Sequence, residues 1–150
     1  MSSPRLLFRI LLVISIVFSA TAALSYLFVG AMQPTLAAYY ADHSDLFPSE
    51  VYAALERLFD APRAFFLATA AAYLLEVAGA VLMWFLRFAG FHCYAIARLV
   101  LILLPPLFLG SGFLAVGDIM FALLFIVVYY LLLRRLKADD EPPQEDPQEA

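Results

Sequence analysis

The sequence predicts an all-α integral membrane protein: a four-helix up-and-down bundle with an extracytoplasmic helical loop and a disordered acidic C-terminal tail. Three observations carry that prediction. Four apolar runs each approach the ~20 residues a helix needs to cross a bilayer. The composition is 65% hydrophobic and 15% charged, with a mean hydropathy of +0.89, against roughly half and a quarter in an ordinary soluble domain. The connections between the last three runs shrink to short Gly-containing turns, which makes those helices antiparallel neighbours.

The first span covers about Ile10 to Gly30 and carries no charge. It has a competing reading as a secretory signal: Arg5 and Arg9 form a basic start, and Ala20-Thr21-Ala22 has the small-residue form of a cleavage site. The run continues through Leu24, Tyr26, Leu27, Phe28 and Val29, however, and outgrows the usual apolar segment of about 7–15 residues. We therefore read a retained span; cleavage would leave three spans and an external N-terminus.

The long connection, residues 31–63, is expected outside the cytoplasm and contains a helix signal. Pro48-Ser49-Glu50 resembles a helix start, and Val51, Ala54, Leu55, Leu58 and Phe59 recur at helical spacing, with Glu50, Glu56, Arg57 and Asp60 elsewhere on the surface. A stripe of this kind suits a helix lying at the interface as a lid on the bundle. Pro62 ends it.

The second span is expected over 64–86, interrupted by Glu76; the third over 91–109, with Arg98; the fourth over 113–133, with Asp118. Phe88-Ala89-Gly90 and Gly110-Ser111-Gly112 are the turns between them. Residues 1–137 thus form one membrane domain, with no room for a separate soluble catalytic domain.

Arg5, Arg9, Arg87, Arg98, Arg134, Arg135 and Lys137 fall on one side of this weave, seven of the nine positive residues. Positive flanks are retained in the cytoplasm, so both termini are expected there. Residues 138–150 hold six acids, several prolines and no large apolar side chain, a composition that cannot bury enough surface to order itself. That local acidity accounts for the net charge of −4.

A charge at membrane depth is costly unless paired, neutralised or hydrated, so Glu76, Arg98 and Asp118 are the candidate polar sites, with Tyr73 beside them. On the second span Thr69, Tyr73, Glu76 and Ala80 share a face; on the first Ser15, Ser19, Ala22 and Tyr26 do; on the fourth Asp118, Ala122, Phe125 and Tyr129 do. Small and polar residues in lipid turn toward other helices. Glu76 precedes Arg87 by 11 residues and Arg98 follows Gly90 by 8, so at ~1.5 Å per residue their backbones differ in height by a few ångström. An ion pair between Glu76 and Arg98 is expected, with snorkelling of Arg98 as its alternative. Asp118 is placed near the level of Pro105-Pro106, within reach of Ser111 or Tyr73.

Other signals are weak. His43 sits among Asp42, Ser44 and Asp45, and His92 beside Cys93, but neither set has the ligand number and spacing of a metal centre. The single Cys93 rules out an internal disulfide and any Cys-x-x-Cys pattern. Trp84, Tyr129 and Tyr130 are expected in an interfacial aromatic belt. No phosphate loop, nucleophile elbow, zinc helix or dinucleotide fingerprint is present, no cofactor is implied, and the basic residues are too few for nucleic-acid binding.

Met83-Trp84-Phe85-Leu86-Arg87, followed by Gly90-Phe91-His92-Cys93-Tyr94 and then by Leu104-Pro105-Pro106, resembles a hairpin of small uncharacterised bacterial four-span membrane proteins. The likeness covers roughly half the chain. It implies a four-span fold in a bacterial inner membrane and no activity. The functional expectation is a non-enzymatic, multi-pass assembly or accessory component that contacts membrane lipid and joins with itself or a larger membrane complex. The alternative is a small proton- or cation-coupled transporter or channel subunit using Glu76 and Asp118. An enzyme acting on lipid or quinone would need a nucleophile and base constellation that is not present.

Overall fold

The computed structural model describes residues 3–110 and 116–140. Over these the protein is helical without strands: α1 Ser3–Asp42, α2 Ser49–Asp60, α3 Arg63–Trp84, α4 Phe88–Leu109 and α5 Val116–Asp140, with a short 3-10 turn at Ser44–Leu46 between α1 and α2. Four of the five, all but α2, are long and apolar enough to cross a membrane. Their outer surfaces carry large apolar side chains such as Phe18 (74% exposed) and Leu107 (77% exposed), while Ser15, Ser19, Thr69 and Glu76 are buried. That inversion of the soluble pattern is what a lipid solvent selects.

The first helix is much longer than its apolar run. It passes through Gly30 and Pro34 and ends only at Asp42, so the stretch expected to be a loop from residue 31 begins as helix. At ~1.5 Å per residue its 40 residues measure ~60 Å, about twice the hydrocarbon thickness; its last turns therefore extend past the bilayer. Gly30 is needed for packing: a Cβ there would stand 2.8 Å from the Cβ of Phe66 on α3. The extension is tied down by Gln33, whose amide donates to the carbonyls of Phe59 and, at 2.7 Å, Ala61 at the end of α2.

The helix expected in the long connection is present as α2. Its N-terminal turn is closed by Tyr52 N–H donating to Pro48 O at 3.0 Å. Phe59 stacks on Tyr40 of the α1 extension at 5.3 Å between ring centres, and Leu58 packs on a buried cluster of Ala61, Phe65, Phe66 and Leu104.

The turn between α3 and α4 lies three residues earlier than expected. Phe85, Leu86 and Arg87 make it, and Phe88-Ala89-Gly90 is already the first turn of α4. Leu86 N–H donates to Met83 O at 2.8 Å and Arg87 N–H to Leu82 O at 3.2 Å, the paired bonds of a Schellman cap. Leu86 holds the left-handed position at φ 55°, where glycine is usual; its side chain packs against the core in compensation.

That core joins Phe8 and Leu12 of α1, Ala80 and Met83 of α3, Tyr94 of α4, and Tyr129, Leu133 and Leu136 of α5. The start of α1, the end of α3, the start of α4 and the end of α5 therefore meet. Cations close the same region: Arg9 lies 5.2 Å from the Trp84 ring centre and Lys137 lies 5.0 Å from that of Phe88. Helix α4 continues through Pro105 and Pro106 to Leu109 and is capped by Gly110 at φ 95°. Ser111 and Gly112 of the last turn lie outside the described residues. Residues 138–140 of the expected tail extend α5, and the rest of it lies outside the described residues.

Candidate functional site: the buried charge pair and its hydroxyls

Helices α3 and α4 approach backbone to backbone at Gly79 and Gly90. That contact brings Glu76, one turn from Gly79, within side-chain reach of Arg98, two turns from Gly90. Glu76, fully buried on α3, receives Arg98 from α4, with Nη2 2.7 Å from Oε1; the Arg98 side chain is 27% exposed. The ion pair read from residue spacing is thus present, and the snorkelling alternative is not. Ser19 and Tyr94 flank the carboxylate without a well-aligned hydrogen bond to either of its oxygens. The attraction is therefore mainly of charge for charge, and loss of either partner would strand the other in a water-poor interior.

Arg98 is steered from its own helix. Its Nε donates to the Tyr94 hydroxyl at 3.3 Å, one turn earlier, and its guanidinium lies 5.5 Å from that ring's centre. Tyr94 is fully buried, packed against Tyr129 of α5. The two rings meet edge to face at 5.0 Å.

Tyr129 is a correction. Rather than joining an aromatic belt, it is fully buried, and its hydroxyl donates to Leu11 O on α1 at 2.8 Å. A phenol has one proton, so the 2.6 Å contact with Ser15 Oγ is donated by the serine. Three helices, α1, α4 and α5, are thereby joined around one hydroxyl and its ring. The spacing of Ala122, Phe125 and Tyr129 with Asp118 was the signal that this face turns inward.

Tyr73 lies on α3 next to this centre, stacked on Tyr26 of α1 at 5.8 Å and within electrostatic range of Glu76, Arg98 and Asp118. Asp118 itself is exposed in the first turn of α5, so the inward face of α5 stops at the buried Ala122. A carboxylate there complements the positive end of the helix dipole. Ser111, one of its expected partners, lies outside the described residues. The structure therefore brings Glu76 and Arg98 into contact, sets Tyr73 beside them, and leaves Asp118 on the outside.

Both histidines bond their own helix backbone through Nδ1. His43 Nδ1 bonds Tyr39 O at 2.8 Å and His92 Nδ1 bonds Phe88 O at 2.9 Å, each one turn back along its helix. Among the described residues no group of three or more His, Cys, Asp or Glu side chains converges. No protein-family model matches the chain, and no curated protein or solved structure shows a significant match to it.

Proposed function

We propose that the protein is a non-enzymatic, multi-pass component of a bacterial inner membrane that assembles with itself or a larger membrane complex, both termini lying in the cytoplasm. The observation that carries this reading is the position of Asp118: a carboxylate exposed on α5 among Val116, Met120 and Phe121, all exposed as well. An acid bordering a lipid-facing apolar surface is costly, and a partner helix offering a donor or a cation offsets that cost. The buried half of α5, at Ala122, Tyr129, Leu133 and Leu136, holds it to the bundle and leaves the Asp118 half open to such a partner. Glu76 and Arg98 act inside the bundle as a tie between α3 and α4.

Photo-crosslinking residues placed at Met120 or Phe121 test this in cells making the full chain, with Leu67 and Leu74 on α3 as controls. Adducts of discrete mass from α5 alone, lost in Asp118→Asn, are the expected result. Absence of such adducts, together with pH-driven cation flux in liposomes that Glu76→Gln or Asp118→Asn abolishes, would assign the protein to transport instead.

A further inference from the structure

A cleft of about 540 Å³ separates α2 from the spans beneath it. Val51, Leu55 and Leu58 form one wall, and Phe65, Pro105 and Leu109 the other. The volume lies within the ~300–1,000 Å³ of sites for small ligands and would admit only about one turn of a helix ~10–12 Å across. Val51, in the lining, is itself exposed, so a hydrocarbon chain can enter from outside without displacing a side chain from the core.

The charge around Glu50 defines the polar end of whatever enters. Glu50, exposed at the start of α2, lines the cleft. It belongs to a segment, residues 31–63, holding five carboxylates (Asp42, Asp45, Glu50, Glu56 and Asp60) against Arg57 and Arg63. A carboxylate at the cleft, within a segment of net negative charge, favours a head that donates hydrogen bonds and carries positive charge, and disfavours an anionic one.

We infer that this cleft seats one acyl chain of a bilayer lipid whose headgroup bears a primary ammonium, with that ammonium at Glu50. Helix α2 is then a clasp over the chain. It is pinned at its far end by Gln33 and Tyr40 and contacts the lipid along one face, from Glu50 to Leu58.

Native mass spectrometry of the purified full chain tests this, with dioleoyl phosphatidylethanolamine, phosphatidylcholine or phosphatidylglycerol added separately at equal concentration. The ethanolamine lipid is expected to be retained roughly fivefold over the glycerol lipid, the size of effect one partly exposed ion pair produces, and above the choline lipid, whose head has no N–H. Glu50→Lys should invert the preference between ethanolamine and glycerol lipids, and Ala54→Trp, which fills the cleft, should remove retention of all three. Both positions are exposed, and thermal unfolding in detergent verifies that each variant is folded. Equal retention of the three lipids overturns the inference. So does an unchanged preference in Glu50→Lys, undiminished retention in Ala54→Trp, or a dimer that Ala54→Trp dissociates.

Discussion

Gly79 and Gly90 touch: a Cβ on Gly79 would stand 2.8 Å from Gly90 O and 2.7 Å from Tyr94 N, and one on Gly90 would stand 2.6 Å from Gly79 O. Each obstruction is backbone and so cannot rotate aside. Gly79 is one turn from Glu76, and Gly90 is one turn from Tyr94 and two from Arg98. The same contact that lets α3 and α4 approach therefore fixes the register of the charge pair.

Gly79→Ala and Gly90→Ala should each lower stability in detergent by about 1–3 kcal/mol, the cost of overpacking a close contact, read from thermal unfolding. Gly117→Ala is the control. Nothing lies within 4 Å of a Cβ at Gly117, and alanine is the better helix former, so that variant should be neutral or slightly more stable. Equal losses in all three would show that the close approach is not what matters.

Tyr129→Phe should cost about 1 kcal/mol, because it strips the Leu11 carbonyl and the Ser15 hydroxyl of a shared partner while keeping the ring contact with Tyr94. Ser15→Ala added to Tyr129→Phe should cost little more than Tyr129→Phe alone, since residues in one network do not add. Full additivity in denaturant or thermal unfolding would contradict the shared-hydroxyl geometry.

Gln33→Leu should loosen α2 without loosening the bundle. Both amide bonds from Gln33 end on the last turns of that helix, at Phe59 and Ala61, and no residue of α2 is buried. Hydrogen exchange over Ser49–Asp60 should accelerate while exchange over Arg63–Trp84 stays as in the parent. Parallel acceleration of both segments would mean that α2 and the spans open as one unit.

Asp118→Asn should leave the unfolding temperature of the isolated chain unchanged, because the side chain is exposed and outside the buried network, while abolishing the α5 cross-links described above. A large loss of thermal stability would place Asp118 inside the fold instead.

The four membrane-length helices were legible because hydrophobicity in lipid is a local, additive property of the chain. The Glu76–Arg98 pair was legible too, since a short hairpin converts sequence distance into depth. What escaped the reading depended on approaches between helices. Gly90 reads as a turn residue, but the left-handed position went to Leu86 and the glycine to a backbone contact with Gly79. Gly30 reads as the end of a span, yet α1 runs on through it and through Pro34, which a helix among packed neighbours tolerates. Tyr129 was assigned to the aromatic belt because a tyrosine near arginines ordinarily sits there. Its burial follows from Ser15 and Leu11, more than a hundred residues away in sequence.

Glu76 and Arg98 hold α3 to α4 through their 2.7 Å ion pair. A double-mutant cycle of Glu76→Gln, Arg98→Leu and the combined variant, read by equilibrium unfolding in one detergent, measures it most directly. Each single change should cost about 3–5 kcal/mol by stranding a buried partner, and the double change should recover much of that loss. Additive losses, with no coupling between the two positions, would contradict the claim.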